Sequence, residues 1–147
     1  MPTLVIYDSN YGNTKLVAEA VAHELGTDAK AIKVDDATQG MLTGLSLLVV
    51  GSPINGWRPT VKTTKLLTSL KTDQLKGVKV AAFDTRVRLF MHGDAAKTIA
   101  KLLVAAGGTL VGQPQGFNVM GKEGPLLDGE LERAKEWTRT LISETGH

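Results

Sequence analysis

The sequence contains no cysteine, so disulfides, thiolate metal ligands and cysteine nucleophiles are excluded. Histidine is scarce as well. His23, His92 and His147 are too scattered to form an expected metal site, and no metal ligand set is nominated. No apolar run approaches the length of a membrane span, and the most apolar stretch, residues 45–50, is far too short for one. The N-terminus lacks a basic region followed by a long apolar segment, so a cytoplasmic location is expected. Neither sign of charge dominates: the formal net charge is +2, with acids and bases interleaved. No aromatic platform accompanies the basic residues, which argues against nucleic acid as a partner. What remains is a globular composition, 42% hydrophobic and 22% charged over 147 residues. A chain of this size forms one ordinary domain and buries about 68–70% of its unfolded surface.

Apolar patterning predicts strands alternating with helices. Residues 3–7 read as a short buried strand. A helix follows over residues 14–25, where Leu16, Val17, Ala20, Val21 and Leu25 recur at helical spacing and Gly26 is placed to end it. Residues 29–34 form a weaker edge strand, followed by a poor helical signal over 35–43. Residues 45–50 predict a central parallel strand ending at Gly51-Ser52-Pro53. A helix through Val61, Leu66, Leu67 and Leu70 leads to a fourth strand over 78–83. Asp94 is placed to cap the next helix, which runs to Gly107. A fifth strand opens at Thr109 and resumes at Gly116 after the Pro114 interruption. In the last helix, capped by Asp128, the expected inward face is Leu131, Ala134, Trp137, Thr138 and Leu141.

No repeat, linker or composition shift divides the chain. The alternation predicts a single α/β domain over residues 1–147. Right-handed crossovers then favour a three-layer sandwich, its five-stranded parallel sheet ordered 2-1-3-4-5 with helices on both faces. In that order a ligand crevice opens beyond the carboxyl ends of strands one, three and four. The loops there begin at Asp8, Ser52 and Asp84.

The first loop, Ser9-Asn10-Tyr11-Gly12-Asn13-Thr14, joins a strand to a helix with hydroxyls, amides and one glycine. Backbone N–H groups and these side chains suit an anion at the positive end of a helix dipole, and Gly12 permits close approach. The loop has neither a Walker A ending nor the dinucleotide glycine pattern. An ordinary strand-to-helix turn, with Asn10 and Asn13 tolerating left-handed geometry, remains the alternative.

The same residues resemble the flavodoxin phosphate signature, Ser/Thr-x-Thr/Tyr-Gly-Asn-Thr, directly after a first strand. Chain length and element order resemble short-chain flavodoxins throughout. Phe83-Asp84-Thr85-Arg86, Glu123-Gly124-Pro125-Leu126 and Glu130 to Ala134 resemble a subgroup of prokaryotic flavodoxin-domain proteins. The resemblance implies a flavodoxin-like fold, non-covalent FMN and a role in electron transport. It also implies cofactor contacts from Ser9, Asn10, Tyr11, Gly12, Asn13 and Thr14, then Ser52, Pro53, Ile54, Asn55, Gly56 and Trp57, then Asp84, Thr85, Arg86 and Phe90.

Trp57 lies in a loop beside glycine and proline, where stacking on a flavin ring is worth about 1–3 kcal/mol by analogy with nucleobases. The alternative is an indole folded over the following helix. In the family, a glycine-containing peptide at the place of Asn55-Gly56 turns over when the flavin takes one electron. The third loop departs from the family, offering Arg86, Val87, Arg88, Leu89 and Phe90 where a Tyr usually covers the ring. Phe90 is the substitute cover. A free cation at Arg86 or Arg88 beside the ring would favour its reduced anion by about 4 kcal/mol at 4 Å and raise the potential. Pairing of these arginines with Asp84 and Asp94 is the alternative. His92 reads as a surface-loop residue.

Three functions follow. The first is an FMN-binding carrier shuttling single electrons between redox partner proteins, which requires no catalytic residue, and none is nominated. The second is an FMN-dependent oxidoreductase acting on a quinone, porphyrinogen or other small acceptor. The third is a non-redox module that binds a phosphate ligand. A phosphoacceptor receiver domain is disfavoured, because the third strand ends without an aspartate. Arg58, Lys62 and Lys65 after Trp57 suggest partners with acidic docking surfaces, met by a monomer.

Overall fold

The computed structural model describes residues 2–55, 57–87, 94–121 and 123–145. In chain order the elements are β1 (Thr3–Tyr7), α1 (Asn13–Leu25), β2 (Ala29–Lys33), β3 (Leu47–Pro53), α2 (Val61–Thr68), β4 (Lys79–Val87), α3 (Ala95–Ala105), β5 (Thr109–Leu110), β6 (Gln115–Val119) and α4 (Glu130–Thr145). Two short 3-10 turns, Val34–Asp36 and Gln39–Leu42, occupy the weakly helical stretch before β3.

All strand pairs are parallel. The sheet runs β2-β1-β3-β4-β5, with β6 also paired to β4. The expected fifth strand is therefore split: β5 and β6 meet successive parts of β4, separated by the segment holding Gly112 and Pro114. Gly112 has φ +66, and Pro114 has no N–H to give to the ladder, so pairing is interrupted at that point.

Strand side chains alternate between two cores, as the pleat requires. Leu4, Ile6, Leu48, Val50, Val80 and Ala82 share one face with Leu67 of α2 and Ile99 and Leu103 of α3. Val5, Tyr7, Leu47, Val49, Ala81 and Phe83 share the other with Val17 and Val21 of α1 and Trp137 and Leu141 of α4. Phe83, Phe117 and Trp137 make three mutual edge-to-face contacts, each with centroids 6.0 Å apart. The Phe83 ring lies across β3, where a Cβ at Gly51 would fall 2.1 Å from the ring.

The end of α1 and the start of α3 follow their sequence signals, but two helix faces do not. Gly26 ends α1 at φ +115, and the Asp94 side chain accepts from the Lys97 N–H to cap α3. In α1 the buried positions are Thr14, Val17, Ala18, Val21 and Ala22, while Leu16 is exposed. In α4 the buried acid Glu130 replaces the exposed Leu131 on the inward face.

Candidate functional site

Parallel register sets Tyr7 beside Gly51, Ser52 beside Asp84 and Pro53 beside Thr85, so the loops after β1, β3 and β4 leave the same edge. Three side-chain bonds join them to one another and to a fourth segment. The Asn10 amide donates to Asn55 Oδ1 at 2.9 Å, linking the first loop to the second. The Thr14 and Thr85 hydroxyls meet at 2.8 Å in the interior, linking α1 to β4. The Asn13 amide donates to the Glu123 carbonyl at 3.1 Å.

The first loop leaves an open helix end. Gly12 occupies the N-cap position of α1 at φ +92, with no side-chain cap and no acidic residue in the first turn. Asp94 caps α3 and Thr60 caps α2 with their own side chains. Among the described residues, nothing lies within 4 Å of where a Gly12 Cβ would stand. Ser9 Oγ accepts the Gly12 N–H at 2.9 Å and keeps its own hydroxyl proton available, while Asp8 Oδ1 accepts the Ser9 N–H. The positive helix end, the Ser9 hydroxyl and a first turn without an acidic residue together suit a phosphate monoester, although Asp8 already holds the Ser9 N–H.

The second loop is a tight reversal. Asn55 and Arg58 exchange both backbone hydrogen bonds, at 2.7 and 3.1 Å. Trp57 sits between them at φ +73 and is 54% exposed. A bulky residue in the left-handed region is strained by about 1–3 kcal/mol, a device that concentrates at binding sites. Ser52, although nominated for contact, is fully buried: its Oγ donates to the Pro53 carbonyl and accepts the Thr60 N–H, shaping the loop from beneath.

The third loop brings a correction. Asp84 is fully buried, and its carboxylate accepts from Arg86 Nε at 2.7 Å, Arg86 Nη2 at 2.6 Å and the Ala96 N–H at 2.9 Å. Arg86 Nη2 also reaches Asp94 at 3.3 Å, and its guanidinium covers Gly116. Arg86 is therefore neutralised by two carboxylates, which removes the expected rise in potential from a free cation there. Burial pushes the Asp84 carboxyl up, against the lowering effect of Arg86. Asp84 thus ties the end of β4 to the start of α3 instead of facing the crevice. Thr14 and Thr85 are buried likewise, and their paired hydroxyls act as an anchor. Gly56, Arg88, Phe90 and His92 lie outside the described residues.

Among the nominated residues, Ser9, Asn10, Tyr11, Gly12, Asn13, Pro53, Ile54, Asn55 and Trp57 remain accessible around the open end of α1. The segment after β6 was not nominated, yet Glu123 and Gly124 rest directly on Asn13. The sequence signals there were the family-like stretch Glu123-Gly124-Pro125-Leu126 and its Gly-Pro turn marker, neither with a site role assigned.

The flavodoxin family model matches residues 5–137. The chain belongs to the flavodoxin family. Among solved structures, a flavodoxin from the domain Archaea superposes with TM-score 0.82 at 22% identity, covering 100% of both chains. Oxidised flavodoxin 1 from Bacillus cereus gives TM-score 0.81 at 16% identity, covering 97% of this chain and 98% of that one. Rubredoxin oxygen:oxidoreductase from Desulfovibrio gigas gives TM-score 0.78 at 16% identity, and the match covers 99% of this chain but 36% of that one. At these identities the structures establish the fold. No curated protein sequence matches the chain significantly. Family membership implies a flavin cofactor, and the donor set at the open helix end, with an exposed indole in the adjoining loop, fits a phosphorylated flavin. Among the described residues, no helix of this chain is long and apolar enough to cross a membrane.

Proposed function

We propose that this chain binds FMN non-covalently and carries single electrons between redox partners. The observation that carries the reading is the N-terminus of α1, where Gly12 stands at the N-cap without a side-chain cap and the first turn holds no acidic residue. Bound FMN supplies a ring that accepts and releases electrons one at a time.

The chain's own residues do the rest. Ser9, Asn10, Tyr11, Gly12 and Asn13 surround the phosphate with hydroxyl and backbone donors, while the Asn10 and Asn13 amides brace the loop against Asn55 and Glu123. Thr14 contributes its backbone at the first turn while its hydroxyl locks α1 to Thr85. Asn55 braces the first loop against the second, and the Trp57 indole covers one ring face. Pro53 and Ile54 line the approach, and the Ile54 N–H donates to the Thr85 carbonyl, holding the second loop to β4.

Partner proteins meet the exposed edge near Trp57. Lys62 is paired with Asp35 at 2.8 Å, and exposed Arg58 and Lys65 have no ion pair among the described residues, which leaves them to supply this rim's positive charge. An acidic partner surface complements them, with association that slows as salt rises. Anaerobic photoreduction of the FMN complex tests the carrier reading. A long-lived one-electron-reduced flavin is expected, whereas direct two-electron reduction would instead favour an oxidoreductase on a small acceptor.

A further inference from the structure

Asn13 stands at the first position of α1, at the centre of the open helix end, and its side chain is already engaged. Its Nδ2 donates to the Glu123 carbonyl at 3.1 Å. Gly124 closes over the same amide. At φ +100, a Cβ on Gly124 would fall 2.5 Å from Asn13 Nδ2 and 2.6 Å from Oδ1. Only a glycine lets this backbone lie against the side chain.

The turn that grips Asn13 is held independently of it. Met120 N–H donates to the Pro125 carbonyl at 2.8 Å, and Leu127 N–H to the Asn118 carbonyl at 2.9 Å, flanking an antiparallel bridge between Val119 and Leu126. The Asn118 N–H in turn donates to Glu130 Oε2 at 2.5 Å, and Glu130 is buried at the start of α4. A chain of short bonds therefore runs from the α4 terminus through β6 to the first residue of α1.

We propose that Asn13 is a positioning residue whose clamped amide aims the N-terminal N–H groups of α1, and that the Glu123–Gly124 backbone is a fourth wall of the phosphate site. The inference rests on the FMN reading. It assigns the turn after β6 a part in discriminating a phosphorylated flavin from an unphosphorylated one. A side chain committed to Glu123 cannot swing to follow the ligand, so the phosphate meets preset backbone donors, with little ordering left to do on binding.

The test titrates flavin-free wild type, Asn13→Ala and Gly124→Ala with FMN and, separately, with riboflavin. Loss of one such hydrogen bond is expected to weaken FMN binding by about 2- to 10-fold. Riboflavin binding, which has no phosphate to place, is expected to stay within about 2-fold, so the preference for FMN narrows. Asn13 is partly exposed, so urea unfolding of flavin-free Asn13→Ala is expected to match wild type, and this variant decides the matter even where Gly124→Ala does not fold. Equal loss toward both flavins, or an unchanged preference in Asn13→Ala, overturns the inference while leaving the FMN reading intact. A wild-type chain that binds neither flavin overturns both.

Discussion

Replacing Arg86 by Gln isolates the buried charge cluster behind the third loop. Asp84 is fully buried and accepts three hydrogen bonds, two of them from Arg86. Without Arg86 the carboxylate keeps the Ala96 N–H alone. Removing one partner of a buried pair typically costs about 3–5 kcal/mol. The lower end applies here, about 3 kcal/mol, because one donor remains and Arg86 is 17% exposed. The pH dependence gives the prediction a sign. Burial already raises the folded-state pKa of Asp84 above the ordinary carboxylate range. The native state therefore holds this proton more tightly than the unfolded chain, and stability contributed by the group is lost as pH rises through that window. Deleting Arg86 removes the main opposing influence and extends the window upward. The deficit of Arg86→Gln should thus be largest near neutral pH and shrink on acidification. Urea unfolding of both proteins from about pH 7.5 down to about pH 5 measures it. A deficit under about 1 kcal/mol at the upper pH, or one that does not diminish toward the lower, would refute the reasoning.

Other substitutions probe separate links. Gly51→Ala places a methyl 2.1 Å from the Phe83 ring and should destabilise by about 1–3 kcal/mol through overpacking, partly recovered by adding Phe83→Leu. Urea midpoints of the single and double variants check this. Thr85→Val strands the buried Thr14 hydroxyl and should cost about 1–3 kcal/mol, whereas Thr14→Val with Thr85→Val should lose less than the two single losses combined. A double-mutant cycle reads that coupling. Trp57→Ala should weaken FMN binding by about 1–3 kcal/mol, read by flavin fluorescence, with little loss of stability because the indole is exposed.

The fold was legible because its signals are local and repeated. Residues 45–50 are apolar on both faces, as only a strand covered by two layers requires, and Gly26 and Asp94 mark helix ends by backbone chemistry. The helix faces were less legible. Leu16 and Leu131 were assigned inward because they are large and apolar, but Ala18 and Ala22 of α1 lie buried on the sheet side, and Glu130 turns inward to cap Asn118.

The Arg86 pairing with Asp84 and Asp94 was legible as one of two alternatives, since residues two apart on a strand share a face. The Asn13 contact had no local signal. It joins residues 110 positions apart and depends on where β6 delivers its turn.

Titration of flavin-free protein with FMN tests the central claim most directly. The open end of α1 and the Trp57 loop predict saturable quenching of FMN fluorescence at one flavin per chain, weakened by Trp57→Ala. A protein that leaves FMN fluorescence unchanged through the titration would contradict the account.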